Sequence, residues 1–347
     1  MGKQNIYDLD LEEWQQYFVT AGEPAYRANQ VWEGLYVHLA SASDQFSTLS
    51  KSLREKIQQD FSFENLRTAR KLESRDSMTQ KFSFFLQDNK VIETVLMRYD
   101  KRNTICVSSQ SGCAMGCVFC ATGQMGFGRN LTAGEIVEQV IYFARQLRSV
   151  NEKITNIVLM GMGEPFHNFL NVIKAIDILN HHQGYNLGER RFTISTVGLT
   201  PGIQKFTSLK RQINLAISLH AANDELRSTM LPVAKKYPMT ELMNACREYI
   251  AETGRRVTFE YALINEINDT EHHAHELANL LKGMLCHVNV IPLNPTKKYE
   301  GKATTQARAR SFQAILQQAG IPCTIRLRRG IEIQAGCGQL ASETTVI

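Results

Sequence analysis

The chain has 347 residues, 43% hydrophobic and 21% charged, values of an ordinary globular protein that exclude global disorder. Its 39 basic and 34 acidic side chains leave a net charge of +5, compatible with nucleic-acid binding but too small for a protein that works by charge alone. No segment approaches the roughly 20 apolar residues that span a bilayer, and the first ten residues contain no apolar signal core, so a cytosolic protein is expected.

In chain order, residues 1 to 85 read as mostly helical, with apolar residues at helical spacing over Asp10 to Phe18, Ala25 to Leu39 and Leu49 to Phe61. Pro24 is placed to begin the second helix and Thr48 to cap the third. Strand patterns barely appear before Gln80. From Gln80 to Met97 apolar residues alternate, predicting a hairpin with its turn at Asp88-Asn89-Lys90. From residue 104 onward, strands near 104–109, 154–160, 191–196, 213–219, 256–263 and 287–291 alternate with helices near 132–149, 168–182, 201–209, 239–253, 271–284 and 304–319. These six β/α units predict a parallel sheet, and their nearly continuous apolar strand cores imply that both faces are covered. A last strand, Pro322 to Arg329, leads into the tail Gly336-Cys337-Gly338-Gln339-Leu340.

Four of the eight cysteines fall between Cys106 and Cys120, immediately after the first strand of that alternation. In a reducing compartment they are expected to be ligands, catalytic thiols or buried apolar residues; Cys246, Cys286 and Cys323 read as core. Cys113, Cys117 and Cys120 have the spacing C-x3-C-x2-C, so three thiolates of one short loop can converge on an inorganic centre. Structural zinc wants four ligands, and Cys106 is the available fourth. A four-iron cluster held by three thiolates instead leaves one iron open to a substrate.

This motif after a first strand, with Phe119 before the last cysteine, resembles the radical S-adenosylmethionine (SAM) superfamily. The longer series Ser108-Ser-Gln-Ser-Gly-Cys113, Cys120-Ala-Thr-Gly123, Arg129-Asn-Leu-Thr132, Gly161-Met-Gly-Glu-Pro165, Ile194-Ser-Thr-Val-Gly198, Ser218-Leu-His220 and Cys337-Gly-Gln-Leu340 resembles the RlmN/Cfr family of RNA adenine methyltransferases. Arg27-Ala-Asn-Gln-Val-Trp32 resembles that family's accessory domain. The resemblance implies an α/β fold, a partial (β/α)6 radical SAM barrel over 104–347. It adds a helical, RNA-binding accessory domain over 1–85 and a hairpin linker over 86–103 that carries Glu93. It also implies a [4Fe-4S] cluster on Cys113, Cys117 and Cys120, and SAM held by Gly163, Glu164, Ser195, Ser218, Leu219, His220 and Asn294.

By the same resemblance, Cys337 carries the methyl group, Cys106 is the resolving thiol that forms a transient disulfide with it, and Glu93 is the proton acceptor. Carbon 2 of adenine has no lone pair with which to displace a methyl group from SAM, so a radical route is needed. One SAM methylates Cys337; a second is reductively split, and the radical formed takes hydrogen from the S-methyl group. The carbon radical adds to adenine, Glu93 removes the ring proton, and Cys106 attacks Cys337 to release the base. The implied substrates are 23S rRNA in the peptidyl transferase region and tRNA anticodon loops, with an electron donor such as flavodoxin or ferredoxin, and the enzyme is expected to be a monomer. Basic pairs, above all Arg326 with Arg328-Arg329, are candidates for phosphate contacts, and the target base must be unstacked to be reached.

The chain departs from the family pattern at Gln334, at Ala222 and at Thr296-Lys-Lys298, which puts substrate positioning in question. Glu164-Pro165 favours the carbon-2 branch over the carbon-8, Cfr-like branch. A non-catalytic, zinc-stabilised RNA-binding module is the rival of a different class.

Overall fold

The computed structural model describes residues 3–326 and 328–341, with Leu327 of the expected last strand outside them. The N-terminal region consists of β1 (Gln4–Asn5), α1 (Leu11–Thr20), α2 (Arg27–Tyr36), α3 (Lys51–Asp60) and β2 (Phe61–Ser62). Asp10 caps α1 in a reciprocal capping box with Glu13. The cap of α3 is Ser50 rather than Thr48, its hydroxyl accepting from the Leu53 N–H, and α2 starts three residues after Pro24. Trp14, Trp32 and Phe18 are fully buried in one core that runs on into the barrel helices.

Next come β3 (Arg67–Glu73), β4 (Thr79–Phe85) and β5 (Val91–Tyr99), an antiparallel meander whose second turn has Asn89 at positive φ. β5 pairs with β6 (Arg102–Cys106), so the expected hairpin continues the barrel sheet and gains a third strand, β3. The loop after β6 holds the ribbon β7 (Gln110–Gly112) and β8 (Phe127–Asn130) around α4 (Ala121–Met125). The repeating units follow: α5 (Ala133–Arg148), β9 (Asn156–Leu159), α6 (Phe169–Asn180), β10 (Phe192–Thr196), α7 (Thr200–Ser208) and β11 (Asn214–Ser218). They continue through α8 (Asp224–Met230), α9 (Met239–Thr253), β12 (Val257–Leu263), α10 (Glu271–Leu281), β13 (Cys286–Pro292), α11 (Gln306–Gln318) and β14 (Cys323–Ile325).

The sheet has ten strands in the order β14-β13-β12-β11-β10-β9-β6-β5-β4-β3, parallel from β14 to β6 and antiparallel beyond. Helices cover its outer face, and the carboxyl ends of the parallel strands converge where α/β folds place their sites. Cys246, Cys286 and Cys323 are buried in this core, as expected. Among the described residues no helix is long and apolar enough to cross a membrane.

Candidate active site

A cleft of about 1100 Å³ opens at the strand ends. Cys113, Cys117, Cys120, Gly163, Glu164, Ser195, Ser218, His220, Asn294 and Cys337 all line it, residues drawn from six separate stretches of the chain. Leu219 lies behind the wall: it is fully buried, its N–H donates to Glu260 O and its carbonyl accepts from Arg227 Nε.

The cysteine loop is held from several sides. Gly112 has a φ of +77°, and a Cβ there would lie 2.0 Å from Gly126 O, the acceptor of the Cys113 N–H. The Val118 N–H donates to Met230 O at 3.1 Å, and Gln124 Nε2 donates to Val118 O at 2.6 Å. Burial pushes the Cys113 thiol up to about 12, and drives Cys117 well above its ordinary value with Cys120 and Cys113 adding to the effect. Thiols that burial holds protonated, as at Cys113 and Cys117, are what a cationic centre would turn into thiolates. Among the described residues no three His, Cys, Asp or Glu side chains converge on a single-ion position. Three cysteines of one loop supply the thiolate ligation that an iron–sulfur cluster takes.

Gln110 stitches the cysteine loop to the glycine loop after β9. Its Oε1 accepts from the Glu164 N–H at 2.9 Å, and a Cβ on Gly163, at φ +106°, would lie 2.6 Å from the Gln110 Cβ. The Glu164 carboxylate accepts from the Phe166 N–H at 3.0 Å and the Val197 N–H at 2.9 Å; burial nevertheless raises it to about 7. His220, at φ +62°, accepts the Ala262 N–H on Nδ1, and burial pushes it down to about 3. It is therefore neutral with its proton on Nε2, packed edge-on against Phe119. Asn294 donates from Nδ2 to Cys337 O at 3.1 Å and leaves its buried Oδ1 without a partner. A buried acid that titrates near neutrality, a neutral imidazole donor and an orphaned amide oxygen around one cleft fit a ligand with amino, carboxylate and base edges, as SAM has.

The segment from Gln334 to Ala341 closes the cleft. Gly338 O accepts the Ala121 N–H at 2.7 Å and Leu340 O accepts the Thr122 hydroxyl at 2.6 Å, which pins the segment to the cysteine loop. Cys337 is exposed between these bonds, its thiol raised by the surrounding walls and eased down by Arg326. Cys106, at the end of β6, packs with Val95, Met162 and Leu340. Burial first and then Cys337 push its thiol up to about 12. Cys337 is thus the thiol whose charge acts on Cys106. All eight cysteines are free, so the expected disulfide between Cys106 and Cys337 is not formed in this structure.

Sequence reasoning missed three participants. Arg326, expected on RNA, lies beside both thiols and 3.5 Å from Glu260, and Cys337 is the main influence holding its guanidinium charged. Glu260 accepts from Asn289 Nδ2 at 2.9 Å; a lone acid in the apolar strand Val-Thr-Phe-Glu-Tyr-Ala-Leu was the available signal. Lys81, on β4, is 3.1 Å from Glu93 on β5, and both are almost fully buried.

A second, open chamber of mixed polar and apolar lining lies on the other side of Cys337. Its lining includes Arg102, Arg256, Arg326, Arg328 and Arg329, against Glu260 as the one acid among the described residues. Tyr99 lies within its wall, with the Arg102 and Arg329 guanidinium groups 4.2 and 4.6 Å from its ring centre. Cys337, Asn294 and Arg326 border both chambers.

Two family models match the chain: the radical SAM superfamily over residues 107–278, and the ribosomal RNA large subunit methyltransferase N-terminal domain over residues 4–62. The chain is 46% identical to the probable dual-specificity RNA methyltransferase RlmN of Chloroflexus aurantiacus, covering 100% of this chain and 95% of that protein. It is 45% identical to the dual-specificity RNA methyltransferase RlmN 1 of Myxococcus xanthus, covering 97% of this chain and 94% of that one. The crystal structure of a radical SAM methyltransferase from Sphaerobacter thermophilus superposes with a TM-score of 0.96 at 47% identity, over 98% of this chain and all of that one.

Proposed function

The chain belongs to the RlmN family of dual-specificity radical SAM RNA methyltransferases, whose cofactors are a [4Fe-4S] cluster and SAM, and from that premise we propose that it methylates carbon 2 of adenine in 23S rRNA, at the peptidyl transferase region, and in tRNA anticodon loops. The observation that carries this reading is the position of Cys337 on the border between a cysteine-lined cleft and an arginine-rimmed chamber. A thiol placed there can accept a methyl group on one side and deliver it on the other. The arginines and Tyr99 suit a single RNA strand, by phosphate contact and by stacking, once the target base is unstacked.

When bound, the cluster supplies an electron and SAM supplies first a methyl group and then a hydrogen-abstracting radical. The roles left to the chain are binding, orientation and proton control. Cys113, Cys117 and Cys120 hold the cluster. Gly163 leaves room for close backbone approach and Glu164 takes the amino group of SAM; Ser195, Ser218, His220 and Asn294 bind its remaining polar edges, with Leu219 setting the His220 backbone. Cys337 carries the methyl group. Glu93 accepts the ring proton of adenine while the adduct's unpaired electron would pass back to the cluster, and the Cys106 thiol then displaces the base from Cys337, its proton completing the methyl group and the two sulfurs forming the disulfide that a reductant then reopens. A flavodoxin or ferredoxin supplies the electron, and the protein acts as a monomer. Glu164-Pro165 is the feature that favours carbon 2 over carbon 8.

Nucleoside mass spectrometry of rRNA and tRNA from cells with and without the protein tests the reading. Loss of 2-methyladenosine on deletion is expected. Loss of 8-methyladenosine instead assigns the chain to carbon 8, and no change in either base, with stoichiometric zinc in a colourless protein, establishes a binding module.

A further inference from the structure

Glu93 lies outside the lining of both chambers, yet it is tied to the Cys337 segment at two points. Its Oε2 accepts the Ala341 N–H at 3.1 Å. Lys81 Nζ, 3.1 Å from Glu93 Oε1, also donates to Gln334 O at 3.1 Å. The remaining partner, Ser83, donates to Oε1 at 3.0 Å and belongs to the sheet alone. One carboxylate, with one lysine as bridge, therefore fastens the segment three residues before Cys337 and four residues after it. Between these anchors, Ala335 and Leu340 pack around Cys106 and cover it.

Lys81 and Glu93 are 4% and 3% exposed, so their interaction is little screened, and each bond to the segment is charge-assisted. Burial raises the Glu93 carboxyl, and Lys81 and Ser83 hold it down against that. A charge-assisted hydrogen bond is roughly twice as strong as a neutral one, so adding a proton to Glu93 weakens the Ala341 anchor directly, and it removes the carboxylate charge that holds the Lys81 ammonium in place beside Gln334 O.

We infer that Lys81 and Glu93 form a latch on the Cys337 segment, with Lys81 as a positioning residue, and that proton transfer to Glu93 opens it. The inference rests on the proposed role of Glu93 as acceptor of the adenine proton. In that step the C–H bond of the base breaks, its electron pair returns to the ring, and the proton forms an O–H bond on Glu93; the carboxylate charge disappears while Lys81 keeps its own. The two ends of the segment loosen, and Cys337 with its attached base becomes free to meet Cys106. Attack by Cys106 thereby waits until the ring proton has gone, which is the order that releases a finished product.

The latch is testable in RNA-free protein by disulfide formation with glutathione disulfide, in which the two protein thiols become one disulfide and two glutathione thiols are released. Differential alkylation and mass spectrometry of Cys106 and Cys337 read its rate. Wild-type protein and Ser83→Ala should react slowly. Glu93→Gln, which mimics the protonated acid, Lys81→Met and Ala341→Pro, which lacks the N–H donor, should each react at least tenfold faster, and Lys81→Arg should restore the slow rate. Equal rates in wild type, Glu93→Gln and Ala341→Pro would overturn the latch. Glu93→Gln and Ala341→Pro keep the test open if Lys81→Met fails to fold. A wild-type protein that makes no methyladenosine refutes the functional reading without altering these thiol rates, so the two failures are distinct.

Discussion

Glu164 is a buried carboxylate whose two oxygens each take one backbone N–H, and burial still outweighs those bonds to place it near 7. The sign of its pH dependence follows from that balance. A folded-state value raised above the unfolded one contributes stability below the unfolded value, and that contribution is lost as pH rises through about 7. A cationic ligand reverses the preference, because the ammonium group of SAM pairs only with the ionised form. SAM should therefore bind more tightly as pH rises from 6 to 8, with Kd falling by about threefold to tenfold. Glu164→Gln should bind at least about tenfold more weakly and show little pH dependence, since the loss of one charge-assisted bond amounts to about 1.5–3 kcal/mol. Equilibrium dialysis across that pH range measures both, and an unchanged pH slope in the variant would remove Glu164 from the amino-group role.

At the scale of elements, the joint between the N-terminal region and the barrel depends on Glu138 of α5. Its carboxylate accepts from Asn5 Nδ2 and Asn65 Nδ2 at 3.0 Å, from the Asn65 N–H at 2.8 Å and from the Leu66 N–H at 3.2 Å. Glu138→Ala strands these donors in a buried site, and each unpaired group costs about 1–3 kcal/mol. Hydrogen exchange at the Asn65 and Leu66 amides should accelerate at least about a hundredfold, the equivalent of roughly 2.8 kcal/mol, while the amides of β10 to β12 stay protected. Unchanged exchange at residues 65 and 66 would mean that packing alone holds the joint.

The same element marks where the sequence was legible. Helix α5 and the strands around it announce themselves locally: Thr132 caps, Glu135 completes a capping box, and apolar runs bury both sheet faces. All six β/α units fall within a few residues of their expected positions. Strand β3 was not legible because Arg67 to Glu73 has no buried position and so no alternation to read. Lys81 and Ser83 did alternate with Phe82 and Phe84, and Glu93 follows Ile92 on the next strand, a pattern that ordinarily means a solvated face. Here the chain returns some 250 residues later to cover it, a contact that no local pattern records. Arg227 is hidden for the same reason: fully buried within the short helix α8, it donates to Leu219 O and Val197 O and ties two strand-end loops together.

Over the whole molecule, a net charge of +5 spread across 347 residues gave little direction, yet five arginines gather around one chamber with a single acid among the described lining residues. Concentration of charge, rather than its total, is what attracts a polyanion into a low-dielectric recess. Arg102 and Arg256 stand exposed at this chamber's rim, away from the cysteine-lined cleft, whereas Arg326 touches both. Replacing Arg102 and Arg256 together by Glu should therefore separate the two functions of the molecule. Methylation of Cys337 by SAM, read by intact-protein mass spectrometry without RNA, should proceed at the wild-type rate. Binding of a tRNA transcript should weaken by at least about tenfold, and the slope of log K against log salt should fall by roughly 0.7 for each single-strand phosphate contact removed. An unchanged slope would mean that RNA does not approach through the arginine-lined chamber. Loss of both methylation and RNA binding would instead mean that the rim supports the cleft, and that the two chambers do not divide the labour between cofactor and nucleic acid.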